Sequence, residues 1–430
     1  MTTRTFVRLL YPCLLLATLL TVACRRDELF PSSIAPYIEL TFPSQTTVQT
    51  TSSTSLTIFI QTAQAISSVA VQRGNRIDTA LFSGNSIWTV SNYPLENGLN
   101  SLTLRVAGDG GTIYTQPATL LKLSLFSTSL GTMVLKTPRY NHTAVLLQNG
   151  KIFIAGGIST TGGAALRATE LYDPATNIST SLPAQMLSPR AGHTATLLSD
   201  GKVLILGGET ADNGSSELAL PDAEIYDPAA GSFSQATFDR TLTRTEHAAL
   251  LIAPTKFLIT GGENDDEILF DAKTFSLTAQ PYPIDGSNTF LLDANTYRHT
   301  LTLTNNKPVL LGYAFASDGT AYPRNSVLTP DNPAFQSGMT KPRNNHAAAE
   351  LEPGLIVVTG GSSFGAQGAE TVLQSIEIFA EPSLTFFTIL PLLTAPRTGH
   401  TATKLSNGTV IILGGKNAGG VLSSAEQLIY

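Results

Sequence analysis

Cysteine is nearly missing from this chain: the 430 residues contain two, Cys13 and Cys24. A disulfide framework is therefore not what holds the fold, and a chain of this length must rely on its apolar core. Charge is sparse too, at 13% of residues against 42% apolar, which excludes general disorder and disfavours charge-rich helices. No long stretch keeps a 3.6-residue apolar period, so little helix is expected. The chain also lacks an H-E-x-x-H pair, a Walker loop and a G-x-S-x-G nucleophile motif. What it has instead is Ser, Thr and Gly in abundance, suited to short strands and turns.

The N-terminal segment stands apart. Arg4 and Arg8 precede an apolar run from Leu9 to Ala23, too short to span a bilayer as a helix of about 20 residues. It reads as a signal peptide over residues 1–23, to be set aside from the fold. Leu20-Thr21-Val22-Ala23-Cys24 resembles a bacterial lipobox, which implies cleavage before Cys24 and lipid attachment to it. Acyl chains contribute about 0.8 kcal/mol per buried CH₂, so two or three of them anchor a protein stably. Residues 24–35 read as a polar tether. Arg25 and Arg26 after the cysteine favour the outer membrane or cell surface over the inner membrane. The signal run carries two arginines and no acid, so the remainder carries a net −8, all of it within residues 126–430. A net-acidic surface lacks the basic footprint of nucleic-acid binding, and nucleic acid is set aside as a partner.

Residues 36–124 alternate apolar and polar side chains in short runs bounded by Gly, Asn and Pro, as a β-sandwich does. Trp88–Gly111 resembles bacterial immunoglobulin-like modules, with Leu95, Gly98 and Asn100 at an L-x-x-G-x-N turn. Trp88, the single tryptophan, is assigned to core packing.

Beyond residue 125 the chain repeats. All six histidines, His142, His193, His247, His299, His346 and His400, precede an apolar stretch that ends in glycine, at intervals of 51, 54, 52, 47 and 54 residues. A period near 50 marks an array of similar units. Asn149-Gly150 and Asp200-Gly201 are hairpin turns between a first and a second strand. The second strands, such as Ile152–Ala155, are apolar on both faces and must be covered on both. Third strands begin near Thr169, Ala223, Glu267 and Ser375, and a fourth leads to the next Arg-x-x-His.

The pattern R-x-x-H-T-A, then Gly-Gly, then E-x-Y-D-P resembles the kelch family over residues 126–430. That resemblance implies an all-β fold: a six-bladed kelch-type β-propeller preceded by an immunoglobulin-like β-sandwich. The last repeat stops after its third strand, and the segment 125–137 is expected to supply the missing fourth and close the ring. Repeat 4 departs from the pattern: Arg298 adjoins the histidine, Gly312-Tyr313 replaces Gly-Gly, and one residue is missing before Gly312. A distorted inner hairpin is expected there.

The histidines, one per repeat at even spacing, form a ring and not a ligand cluster, so a structural role is assigned to them and no metal or cofactor. Copper chemistry of the galactose-oxidase-like relatives needs a cysteine for its crosslink, and none remains. Arg139, Arg190, Arg244, Arg343 and Arg397, each three residues before a histidine, admit two roles. As a ring on one face they form a candidate ligand face for carboxylates. Otherwise they pair with acids opening the third strands: Glu170, Glu224, Glu377 and Glu426. Repeat 4 lacks both partners (Thr296, Ser326), as a structural pair would, and Glu267 of repeat 3 lies one residue out of register. The acidic run Glu263–Glu267 reads as a solvated turn, and Tyr313, Phe315 and Tyr322 as packing or sugar-stacking aromatics. No catalytic residue is assigned. The expected function is a monomeric cell-envelope lipoprotein that binds a protein or glycan through its loops. The alternative is a carbohydrate-active enzyme similar to the kelch-type sialic acid mutarotases.

Overall fold

The computed structural model describes residues 37–41, 53–61, 66–84, 87–94, 98–108, 113–122, 126–131, 134–211, 219–238, 242–264, 267–269, 271–278, 280–283, 290–291, 298–315, 321–327, 334–336, 339, 342–364, 369–381, 385–389 and 392–429. The signal segment, Cys24 and the tether lie outside them. The described residues are all-β, without a helix, and the chain divides into two compact units, 1–124 and 125–430.

The first unit holds two four-stranded antiparallel sheets. One runs Tyr37–Thr41, Ser53–Gln61, Ile87–Pro94, Leu81–Gly84, and the other Arg76–Thr79, Ile66–Arg73, Gly98–Gly108, Ile113–Lys122. Asn100 is buried, and its Oδ1 accepts a hydrogen bond from Nη1 of Arg73 at 3.0 Å. Trp88 departs from its assignment: it is only partly buried and packs at 5.0 Å on Phe82, an exposed ring.

In the second unit six four-stranded antiparallel sheets follow one another. Their innermost strands are Thr143–Leu146, Thr194–Leu197, Ala248–Ala253, Thr300–Thr304, Ala347–Glu352 and Thr401–Lys404. Each contacts the innermost strand of the next sheet, and the sixth contacts the first. The outermost strand of the sixth sheet is Phe126–Gly131, paired antiparallel to Ala425–Ile429.

The fully buried second strands show why they are apolar throughout. Phe153 and Ala155 join Val203, Ile205 and Tyr226 in the core between sheets one and two. Ile152 and Ile154 point the other way, into a core with Ile411, Leu413 and Ala425 of sheet six. Val203 and Ile205 alternate in the same fashion with Leu204 and Leu206, which pack toward Phe257 and Ile259 of sheet three. Pleating sends successive side chains to opposite faces, and here both faces meet another sheet.

Two sequence expectations are corrected. The third strand of repeat 3 is Asp271–Ser276, so Glu267 lies in the connector before it. Glu267-Ile268-Leu269 mimics a strand opening, but Ile259 pairs with Lys273, the register at which Ile205 pairs with Glu224. The inner hairpin of repeat 4 is regular and not distorted, with Thr300 opposite Leu311 through to Thr304 opposite Lys307. The missing residue is absorbed by a two-residue turn, Asn305-Asn306, both at positive φ. Repeat 4 differs further out. Elsewhere both glycines of the Gly-Gly pair are left-handed, for example Gly207 at +61° and Gly208 at +92°, and turn the chain sharply. In place of that pair repeat 4 has Gly312-Tyr313, and its second strand runs straight on to Phe315, pairing with Ala321–Val327.

Candidate functional site

The five arginines sit where the chain enters each inner strand, and they are buried, at 0–3% exposure. Nη1 of each donates to the carbonyl of the first glycine of its own repeat: Gly156, Gly207, Gly261, Gly360 and Gly414. Nη2 then reaches a carboxylate: Arg139 to Glu170 (2.6 Å), Arg190 to Glu224 (2.8 Å), Arg343 to Glu377 and Arg397 to Glu426 (2.5 Å). The acids are satisfied from the other side as well. Glu170 accepts from the amides of Lys136 and Thr137 and from Ser179 Oγ, and Glu224 from the amides of Leu187 and Ser188. Burial alone would raise the Glu170 carboxyl. The Arg139 guanidinium, the Ser179 hydroxyl and the two amides outweigh it and hold the group below its ordinary value. The candidate ligand face of Arg139, Arg190, Arg244, Arg343 and Arg397 is thereby corrected: guanidiniums enclosed within the sheets present no charge to a carboxylate in solution.

Sheet three solves the pairing differently. Lys273 stands at the register of the missing glutamate, and Asp271, two residues earlier, takes both Arg244 (2.9 Å) and Lys273 (2.5 Å). That acid was missed because it belongs to a strand placed four residues too early.

The histidines tie each sheet to the one before it. Nε2 of His193 meets Thr143 Oγ1 (2.9 Å), His247 meets Thr194 (2.9 Å), His346 meets Thr300 (3.0 Å) and His142 meets Thr401 (3.4 Å). Where the preceding sheet carries alanine after its own histidine (Ala248, Ala347), the hydroxyl is found on that sheet's second strand: Thr260 serves His299 (2.8 Å) and Thr359 serves His400 (2.9 Å). Ala248 is the cross-strand partner of Thr260, and Ala347 of Thr359, so the hydroxyl has moved one strand over without leaving its place in space. Burial, reinforced in most cases by the nearby arginine, drives the imidazoles far down: His193 and His346 to about 3 and His299 to about 4. They are neutral joints. Among the described residues no group of three or more His, Cys, Asp or Glu is placed to hold a metal ion.

One position remains, the residue just before each histidine: Asn141, Gly192, Glu246, Arg298, Asn345 and Gly399. All six have left-handed backbones, with φ between +50° and +64°. Their amides and carbonyls form a continuous cycle. The amide of Asn141 donates to Gly399 O (2.8 Å), Gly192 to Asn141 (3.0 Å), Glu246 to Gly192 (2.8 Å), Arg298 to Glu246 (2.9 Å), Asn345 to Arg298 (2.9 Å) and Gly399 to Asn345 (2.9 Å). Within this ring the side chains of four members converge. Asn345 Nδ2 donates to Asn141 Oδ1 (3.0 Å), Asn141 Nδ2 donates to Glu246 Oε1 (3.1 Å), and Arg298 Nε stands 3.3 Å from the same oxygen. Glycines 192 and 399 leave the space for it: a Cβ on Gly399 would lie 2.4 Å from Asn141 Oδ1. The ring and the six imidazoles line a cavity of about 100 Å³. The sequence hid this site because its six members share no side-chain type, only a backbone conformation that Asn and Gly favour.

The connectors between second and third strands start beside the ring. Backbone bridges join Tyr140 to Ile158, Ala191 to Glu209, Thr245 to Glu263, Asn344 to Ser362 and Thr398 to Lys416. In the acidic run, Asn264 Oδ1 accepts a hydrogen bond from the Glu267 amide. The side chains of Tyr313, Phe315 and Tyr322 lie outside the described residues.

No protein-family model matches the chain. A stretch of 175 aligned residues, 35% of the chain, is 28% identical to an F-box/kelch-repeat protein of Arabidopsis thaliana, and the chain spans 36% of that relative's length. This likeness points toward kelch repeats.

Proposed function

We propose that residues 125–430 form a six-bladed kelch-type β-propeller that works as a protein-interaction module. The repeat likeness supports this, as do six successive four-stranded sheets with cyclic contacts between their inner strands. The observation that carries it is a division of labour. The repeated Arg, Glu, His and Thr side chains face inward and pair with one another, whereas the connectors 156–168, 207–222, 261–270, 316–320, 360–375 and 414–424 differ in length and composition. Specificity then rests with the connectors and with the ring they surround, as loops on a rigid scaffold commonly provide it. In this reading the first unit is an immunoglobulin-like spacer, and lipid on Cys24 holds the exported chain at the cell envelope.

Two experiments test it. Cys24→Ser should move the protein from the membrane fraction to the soluble one. Replacing connectors 207–222 and 360–375 with Gly-Ser linkers of equal length should abolish capture of envelope proteins that the native chain retains. Unchanged capture, or turnover of a sugar substrate by the purified chain, would replace the module with the carbohydrate-active alternative.

A further inference from the structure

The axial ring carries chemistry that its architecture does not require. Four of its six members are Asn or Gly, which enter the left-handed region at little cost. Glu246 and Arg298 do not belong to that group, yet both stand at φ +55° and are neighbours in the ring. Left-handed backbone in residues of this kind is unfavourable and concentrates at functional sites. Their side chains are stacked by depth: Glu246 is 6% exposed and Arg298 is 31% exposed. The carboxylate lies inside, accepting from Asn141 Nδ2 and paired with Nε of Arg298, and the Arg298 side chain is the more exposed of the two. The six imidazoles beneath are neutral and add no charge.

A cavity of about 100 Å³ admits a small guest. It meets the guanidinium of Arg298, which pairs with Glu246 on its inner side, with the amide of Asn345 beside it. The planar fork of arginine matches a carboxylate in bidentate fashion. We propose that the axial cavity is a carboxylate-binding subsite, with Arg298 as the anchoring cation and Asn345 in its wall. The carboxylate comes either from a small free organic anion or from a side chain or C-terminus of a protein docked on the connectors. Only the second source rests on the interaction-module reading.

The test is calorimetric titration of the purified full-length chain with sodium acetate at constant ionic strength, with acetamide as the uncharged counterpart. Acetate should give a saturable heat and acetamide none. Arg298→Gln should weaken acetate binding tenfold or more, and so should Asn345→Asp, which places a like charge in the wall. Arg76→Gln, on an exposed strand of the first unit, should leave binding unchanged, and circular-dichroism melting confirms that each variant is folded. Equal responses to acetate and acetamide, or acetate affinity in both folded ring variants within twofold of native, would overturn the proposal. If saturating acetate also displaces a captured partner, the carboxylate belongs to that partner; if acetate binds without displacing it, the source is a free anion. Connector replacement should leave the acetate titration intact, so the subsite and the module can fail independently.

Discussion

Acidification should unfold the repeat unit near pH 5, because its six histidines are buried as neutral joints. Their folded values lie below the ordinary 6.5, at about 3 for His193 and His346 and about 4 for His299, with His142, His247 and His400 also far below. The unfolded chain therefore binds more protons than the native one. Stability is complete above pH 6.5 and is lost as pH falls from there toward the folded values. At about 1.4 kcal/mol per pH unit, each histidine contributes a loss of about 2 kcal/mol by pH 5. Six of them give about 12 kcal/mol, comparable to the whole stability of an ordinary domain at roughly 5–15 kcal/mol. Two of the paired carboxyls, Glu170 and Asp271, do not share in this window. Glu170 and Asp271 are held below their ordinary values of 4.5 and 3.8, so their contribution is lost only at lower pH. Urea unfolding followed by circular dichroism at pH 7.5, 6.5, 6.0, 5.5 and 5.0 measures the effect. The unfolding free energy should be flat above pH 7 and then fall with a limiting slope of about 8 kcal/mol per pH unit. A plateau between pH 7 and 5, or a slope of a single proton, would refute the account of the histidines.

Arg190→Gln should destabilise the fold by about 3–5 kcal/mol in urea unfolding, because it leaves Glu224 buried without its cation. The double variant Arg190→Met with Glu224→Leu should recover only part of that loss in the same assay, because the Leu187 and Ser188 amides and the Gly207 carbonyl lose their partners. Thr194→Ala removes the hydroxyl that His247 uses and should cost about 1–3 kcal/mol. Leu206→Thr, at the cross-strand position, should return a hydroxyl to His247 as Thr260 does for His299, but it should not restore stability, because Leu206 packs in the core with Phe257 and Ile259.

How far the chain could be read in advance depended on how each feature is encoded. The all-β organisation was legible in the Arg-x-x-His and Gly-Gly spacing, since a strand that ends in two left-handed glycines can be recognised from the letters alone. The acids Glu170, Glu224, Glu377 and Glu426 were legible as partners because they keep one register across four repeats. Asp271 was not, since a lysine had taken the glutamate's place and the charge had shifted two residues along the strand. The hydroxyl exchange was present in the letters, as His-Thr-Ala with Ala or Leu before Gly-Gly against His-Ala-Ala with Thr before Gly-Gly. It becomes visible only once the cross-strand register is known, because Thr194 and Leu206 are neighbours in space and not in sequence. The axial ring was the least legible, because backbone conformation and convergence from six separate repeats define it.

Closure of the proposed six-sheet ring rests on the pairing of Phe126–Gly131 with Ala425–Ile429. Thr128 and Gln427 are direct partners in that pairing. With Cys13 and Cys24 replaced by serine, the chain offers a thiol-free background for Thr128→Cys with Gln427→Cys. Oxidation should give a quantitative intramolecular disulfide, read as loss of both free thiols and faster migration on a non-reducing gel. It should also raise the unfolding free energy, by up to about 5 kcal/mol for so long a loop. Two thiols that stay free under oxidant in the folded protein would contradict the closed ring.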